Sequence, residues 1–382
     1  KVKISFSNTN EDTSLAYLHD LGFVPALKHG VRGFKVVVGG GLGAQPMLAH
    51  TAYDFLPENE VIPFIEAVLR VFDRHGERNS RHKARMKFLI QKIGFEAFME
   101  LVQVEKRALK NHIVEISDAT AWEVETPELI SNIPAPNTDE YQTWIATNTF
   151  EQKQKGFHAV YVRILNGNIS SSTSRSLIDA LTGYIGDDIR ITINQGLMLK
   201  YVPAANLAYV YSVLDAHGLA APGANSIANI TACPGTDTCN LAISDSTNIT
   251  SKLEAVITEE FPSLIHDSAM KIKISGCMNA CGQHSMASIG FHGSSLKAAD
   301  KRVLPALQVL LGGATLGNGE GKIADKVIKV PSKRGPQVLR TLLNNFEENA
   351  QADEYFHSYY DRQGEKYFYD LLKPIADLST LV

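Results

Sequence analysis

Hydrophobic residues recur along this 382-residue chain with two periods. KVKISF at 1–6 and FKVVVGG at 34–40 are short and rich in β-branched residues, and read as strands. Val61, Ile62, Ile65, Val68, Leu69 and Phe72 return at helical spacing behind Pro63, which predicts a helix with proline in its first turn. A second helix is expected over 81–104. The stretch 113–150, with TPELISNIPAPNTDEYQ, is polar and proline-bearing and reads as a connector. Beyond it, HAVYVRIL predicts a strand, 176–185 a helix with Leu177, Ile178, Leu181 and Ile185 on one face, and IRITIN and LMLKYV two more strands. A helix over 206–217, ended by Gly218, completes a β-α-β-β-α unit, the order of half a ferredoxin-like layer.

The pattern also repeats. KVKIS at 1–5 returns as KIKIS at 271–275, and Gly22-Phe23 as Gly290-Phe291. The VVVGGGLG run ending at Gly43 returns as VLLGGATLG ending at Gly317, and the helix at Pro63 as one at Pro336. The offsets of 270, 268, 274 and 273 keep one spacing to within six residues, as a duplicated module would. In this alignment Ser7 matches Cys277. The expected fold class is α/β (α+β): two duplicated modules around a ferredoxin-like half-domain, with a pseudo-twofold relation. The expected divisions are a first module over 1–112, N-terminally incomplete, a linker over 113–150, the half-domain over 151–222 and a second module over 223–382. About 120 residues precede Lys271 as half-domain and module start, so a stretch of roughly that length is expected ahead of Lys1.

Composition narrows the class. With 44% hydrophobic and 20% charged residues the chain is ordinary globular material, and its net charge of −4 offers no broad basic field for nucleic acid. No run approaches the roughly 18 apolar residues of a membrane span. A soluble, cytoplasmic protein is the expectation. Arg78, Arg81, Arg85 and Lys87 form a cationic run, read first as a solvated face and second as a dock for an acidic electron donor. The four cysteines all fall between Cys233 and Cys281. Such clustering in a large chain without a secretion signal points to metal or cluster ligation and away from a disulfide framework. The spacing is C-x5-C, 37 residues, then C-x3-C, in CPGTDTC and GCMNACGQH. Zinc knuckles favour tighter pairs, and C-x-x-C-H haem attachment and C-x-x-C redox motifs are absent. Wide loops with Gly235, Gly276 and Gly282 suit an iron–sulfur cube, with zinc or incidental thiols as alternatives.

These paired motifs resemble those of the siroheme-dependent nitrite and sulfite reductases, whose four cysteines hold a 4Fe–4S cluster. The resemblance covers essentially the whole chain. DIRITINQ is similar to that family's R-x-T-x-x-Q signature, and GGGLG to its glycine-rich loop. The resemblance implies that Cys233, Cys239, Cys277 and Cys281 bind the cluster and that Cys281 also bridges to the siroheme iron. It implies that Arg190, Thr192, Gln195 and the loop Gly39, Gly40 and Gly41 serve the siroheme carboxylates, with Asn279 hydrogen bonding near the cofactors. Lys1 and Lys3 occupy the family's K-x-K position, where lysines bind the oxyanion and relay protons. K-x-K leans towards reduction of sulfite to sulfide; nitrite to ammonia is the alternative, and an electron-transfer or relic cluster module without siroheme is a third. The expected partners are a small anion and an electron donor, ferredoxin or a flavoprotein. Lys271 and Lys273 stay unassigned, Arg163 reads as structural, and His284 as a histidine satisfied by packing.

Overall fold

The computed structural model describes residues 1–117, 126–130 and 133–379. They form two compact units, the first made of the residues to 117 with Gly312–Asp325 and the second of the remainder. In the first, β1 (Ile4–Phe6), β2 (Leu21–Lys28), β3 (Val31–Val38) and β4 (His50–Pro57) form one sheet in that order. β1 runs parallel to β2 and the other neighbours are antiparallel. His29 and Gly30, both at positive φ, make the two-residue hairpin between β2 and β3. Helices α1 (Val61–His75), α2 (Met86–Ile93) and α3 (Phe95–Arg107) bury Phe64, Val68, Leu89 and Phe98 against this sheet. The single helix expected over 81–104 is thus two. Gly94, at φ 89° and ψ 153°, breaks it in a conformation that a residue with a Cβ rarely adopts, while the apolar period continues across the break.

The second unit opens with α4 (Asp139–Asn148) inside the stretch read as a connector. Thr138 caps it by accepting the Tyr141 N–H, and Tyr141 and Trp144 sink into the core of the next layer. Residues 118–125 and 131–132 of that stretch lie outside the described residues. β5 (Thr149–Glu151), β6 (Phe157–Val162), α5 (Ser171–Leu181), β7 (Ile189–Ile191), β8 (Leu197–Pro203) and α6 (Leu207–Ala216) give the expected half-domain, with strand order β5-β6-β8-β7. α5 starts earlier than the apolar pattern suggested, because the Ser170 hydroxyl caps the Thr173 N–H; Ile178 is exposed and Ile185 lies beyond the helix.

Then come β9 (Thr231–Ala232), α7 (Ser246–Glu260), β10 (Ile272–Ser275), β11 (Ile289–Lys297), β12 (Val303–Leu311), β13 (Ala314–Gly317), β14 (Glu320–Lys322) and β15 (Asp325–Pro331). Helices α8 (Gly335–Asn349), α9 (Phe356–Gln363) and α10 (Glu365–Ala376) follow. The sheet order is β15-β12-β11-β10-β9. The β13–β14 hairpin belongs to the first unit, where Thr315 meets the Tyr17 hydroxyl at 2.8 Å and Glu320 pairs with Lys35 at 3.0 Å. Among the described residues no helix is long and apolar enough to cross a membrane.

The repeat is visible element by element, down to Gly364 breaking α9 from α10 at φ 83° and ψ 155° as Gly94 breaks α2 from α3. The register corrects the sequence alignment at its start. Ile4 pairs with Leu21 and Ile272 with Ile289, so the equivalent of Lys3 is Lys271, not Lys273. The Leu21 and Ile289 N–H groups donate to the Lys3 and Lys271 carbonyls at the same distance, 3.1 Å. The left-handed residues Asp12 and Leu15 then match Ala280 and Gln283. Cys277 and Cys281 therefore correspond to Thr9 and Thr13, and Ser7 matches Ser275.

Candidate functional site

The cysteines sit on the turns that leave the parallel strands of the second unit. Cys233 follows β9, its N–H donating to the Ile274 carbonyl at 3.2 Å, and Cys277 follows β10. Two glycines let these turns close. A Cβ on Gly276 would lie 2.7 Å from the Gly235 Cα, and one on Gly282 would lie 1.9 Å from the Ile274 carbonyl oxygen. The Gly276 N–H donates to the Cys233 Sγ at 3.0 Å, and the Gly276 carbonyl accepts the Ile243 and Ser244 N–H groups. Ser246 donates to the Cys233 carbonyl at 2.6 Å, tying the N-terminus of α7 to the same turn. All four cysteines are thiols; Cys277 is buried, Cys233 half-buried, and Cys239 and Cys281 reach the surface. Asn279 is exposed on the turn between Cys277 and Cys281. Among the described residues no three Cys, His, Asp or Glu side chains converge on one point as ligands of a single ion. A cube offers four separate irons and imposes no such convergence. The thiol set, the glycine cradle and the N–H aimed at a sulfur fit a cluster.

Behind this turn lies His284, buried, with its ring 4.8 Å from that of His292 and its Nδ1 without a hydrogen-bond partner. Burial, with His292 and Lys326 nearby, pushes its pKa down to about 3 from 6.5. A group whose folded pKa is depressed contributes stability that is intact above 6.5 and is lost as pH falls from there towards 3. His284→Gln is therefore expected to flatten the loss of stability between pH 6.5 and about 4.5, by up to about 1.4 kcal/mol per pH unit. Urea midpoints of the two proteins across that range check it; parallel slopes would refute the assignment.

The R-x-T-x-x-Q segment braces the cysteine strand. The Gln195 amide accepts the Ala232 N–H at 2.8 Å and donates to the Ala232 carbonyl at 2.7 Å, one residue before Cys233. The Thr192 hydroxyl accepts the Gly196 N–H at 3.0 Å and closes the turn after β7. Arg190 is exposed and pairs with Asp188, which also holds Lys200. Lys271 and Lys273 turn inward, to the Asn225 carbonyl and to Thr231 and Gln283 respectively, and burial lowers their pKa values to about 8 and about 7.

In the first unit Lys1 and Lys3 precede β1 and are both exposed; the strand is shorter than KVKISF suggested because its ladder begins at Ile4. The glycine loop directly follows β3. Gly39 and Gly41 donate their N–H groups to the Asp20 and Met47 carbonyls. The cationic run divides: Arg78 and Arg81 are exposed, as a solvated face predicts, whereas Arg85 and Lys87 turn inward. Lys87 is buried and donates to the Gly41, Leu42 and Gln45 carbonyls, while Arg85 pairs at 2.8 Å with a fully buried carboxylate, Asp20. Burial and the neighbouring Arg85 lower the Lys87 pKa to about 8, against the opposing pull of Asp20. A Cβ on Gly41 would stand 3.0 Å from the Lys87 side chain and 3.4 Å from the Arg85 guanidinium. Sequence reading missed Asp20, and it left Arg85 and Lys87 in a run of surface charge; the signal was a lone acid ahead of β2, whose partner lies 65 residues away.

A duplicated α/β architecture with four thiols in a glycine cradle defines an iron–sulfur protein. Residues 1–110 and 223–376 match the nitrite and sulphite reductase 4Fe–4S domain, and 150–217 the nitrite/sulfite reductase ferredoxin-like half domain. The chain belongs to the nitrite and sulphite reductase family, a family of oxidoreductases whose cofactors are siroheme and a 4Fe–4S cluster. It is 30% identical over 309 residues to a sulfite reductase [ferredoxin] of Mycolicibacterium paratuberculosis, covering 79% of this chain and 51% of that one. It is 26% identical over 299 residues to the chloroplastic ferredoxin–nitrite reductase of Oryza sativa, covering 78% and 47%. The solved structure of Mycobacterium tuberculosis NirA superposes with a TM-score of 0.76 at 26% identity, over 96% of this chain and 64% of that one. The chain thus spans about half the length of these two curated relatives.

Proposed function

We propose that this chain provides the cluster half and the glycine-loop half of a siroheme-dependent enzyme that reduces sulfite to sulfide with six electrons. The observation that carries the reading is the cysteine cradle, in which Gly276 closes against Gly235 and donates its N–H to the Cys233 Sγ, so that the turn bearing Cys277 packs on the turn bearing Cys233. Cys233, Cys239, Cys277 and Cys281 would hold the 4Fe–4S cluster, Cys281 also reaching the siroheme iron. When bound, the two cofactors supply stored electrons and an iron with an open coordination position.

The chain's own residues do the rest. Arg85, held over Gly41, and the exposed Arg190 would meet siroheme carboxylates as fixed cations. Gly39, Gly40 and Gly41 form a floor without side chains, and Lys87 pins that floor by three carbonyls. Thr192 and Gln195 would serve the cofactors by holding the Cys233 strand in place. Asn279, on the turn between two cysteines, would hydrogen-bond near the cluster. Lys1 and Lys3 would bind the oxyanion and give protons to the oxygens that leave. Ferredoxin, in the names of the relatives, is the favoured electron donor over a flavoprotein, and the cytoplasm the favoured place of work. Nitrite to ammonia is the second reading, because nitrite reductases stand among the relatives at similar identity.

The absorption spectrum of the purified holoprotein tests the proposal. Strong Soret and red bands from siroheme are expected over the broad absorption of the cluster, and their absence from a cofactor-replete preparation would sink the reading. With sulfite and nitrite compared at matched reductant, kcat/KM is expected to favour sulfite; a preference of orders of magnitude for nitrite selects the second reading.

A further inference from the structure

We propose that Asp20 is a positioning residue, whose buried carboxylate fixes the Arg85 guanidinium over the glycine-rich loop so that Arg85 meets an anionic cofactor already oriented. The inference rests on the siroheme reading for the nature of that anion, and on three contacts for the geometry. One Asp20 oxygen accepts from Arg85 Nη2 at 2.8 Å and from the Lys3 N–H at 2.9 Å. The Asp20 carbonyl accepts the Gly39 N–H at 2.9 Å. One residue therefore joins the start of the K-x-K strand, the first glycine of the loop and the arginine that lies against Gly41.

The duplication shows what the charge is for. Ser288 occupies the equivalent place in the second copy, and its hydroxyl accepts the Lys271 N–H at 3.1 Å. A hydroxyl is thus enough to tie down the strand. What the second copy lacks is the cation: Tyr355 precedes α9 where Arg85 precedes α2. The carboxylate and the arginine occur together in one copy and are both missing from the other. Burying a carboxylate is unfavourable without a partner, so its presence at full burial is explained by the guanidinium and not by the turn. The arrangement also limits Arg85 to a narrow range of positions, since the same oxygen that holds it is anchored to the Lys3 backbone. The second Asp20 oxygen and the Arg85 Nε are buried without partners, which leaves both sides of the pair capacity for a ligand or a water.

The copy's own solution supplies the test. Asp20→Ser keeps a hydroxyl for the Lys3 N–H and removes the charge, whereas Asp20→Ala removes both. In the cofactor-free chain, modification of Arg85 by phenylglyoxal, followed by peptide mass, is expected to speed up several-fold in Asp20→Ser while the urea midpoint stays close to that of Asp20 protein. In the holoprotein, siroheme retained per cluster is expected to fall by about tenfold, the low end of what removing an orienting partner costs a bound ligand. Introduced into Arg85→Met, the same Asp20→Ser change is expected to cause no further loss. Unchanged Arg85 reactivity overturns the proposal whatever the cofactor does. So does an equal loss of siroheme in the Arg85→Met background, or a fall in midpoint and cluster content alongside siroheme. If the wild-type protein carries no siroheme but Arg85 reactivity responds, the positioning stands and the cofactor reading is what fails.

Discussion

Arg163→Ala is expected to destabilise the second unit by about 3–5 kcal/mol, the cost of breaking a buried ion pair from one side. The Arg163 guanidinium donates to the Pro222 and Ala228 carbonyls and to Glu254, and the Glu254 carboxylate also accepts the Ile230 N–H at 3.1 Å. Burial pushes the arginine pKa down and the Glu254 pKa up, each held against that push by the other. Truncation leaves the Pro222 and Ala228 carbonyls without this donor and the Glu254 carboxylate without its counter-charge, still accepting the Ile230 N–H. The sign with pH follows. Without Arg163 the folded Glu254 pKa rises further above its ordinary value of 4.5. The penalty is then present in full above that raised pKa and is relieved as pH falls through it towards 4.5. The urea midpoint of Arg163→Ala, followed by far-ultraviolet circular dichroism, should accordingly approach that of the wild type as the solution is acidified. Arg163→Met combined with Glu254→Gln should recover most of the loss at neutral pH, because no charge is then left buried. A single variant with an unchanged midpoint would show the pair to be dispensable. The contact matters for the site because Arg163 extends from β6 and fixes the segment that runs into β9 and Cys233.

That Arg163 is structural was expected from its place in the second half of the chain and not from its neighbours, and its partners were not legible at all. Glu254 lies 91 positions away, and nothing in local spacing selects it. The same holds for Gln195 and Ala232, and for Asp20 and Arg85: each pair is made by the fold and leaves no periodic trace. The duplication itself was legible, since glycines at strand ends and apolar helical stripes survive divergence. Its register at β1 was not. Strands repeat every two residues, so a slip of two keeps every side chain on its proper face, and KVKIS matches KIKIS as well in the wrong frame as the ladder does in the right one. Only the pairing of Ile4 with Leu21, set beside that of Ile272 with Ile289, decides it. The corrected frame changes the chemistry assigned to the two copies. Thr9 and Thr13 stand where the second copy has Cys277 and Cys281, and Asp20 and Arg85 stand where the second copy has Ser288 and Tyr355. One copy has diverged towards thiols and the other towards a held cation.

Loss of the cluster is expected from two unlike substitutions. On the proposed ligand set, Cys277→Ser removes one cluster ligand from a buried position, and iron and acid-labile sulfide should fall to the detection limit in the purified protein. Gly276→Ala removes no ligand at all, yet the same outcome is expected. Its Cβ would meet the Gly235 Cα at 2.7 Å, the Ala242 Cβ at 2.9 Å and the Ser244 carbonyl oxygen at 3.1 Å. Two of these are backbone atoms, so the strain cannot be relieved by a rotamer change: Ser244 is held by its N–H bond to the Gly276 carbonyl, and Gly235 by the Cys239 N–H on its carbonyl. The cost to the cluster-free fold should be about 1–3 kcal/mol, well short of unfolding a unit of this size. The cost to cluster binding is larger. Spreading the two turns moves Cys233 relative to Cys277 and withdraws the Gly276 N–H from the Cys233 sulfur, where it lies at 3.0 Å. Iron analysis beside a urea titration separates the two effects: Gly276→Ala should retain a cooperative transition and lose its iron. Full cluster content in that variant would mean that the four thiols alone define the site and that the contact between Gly235 and Gly276 is incidental.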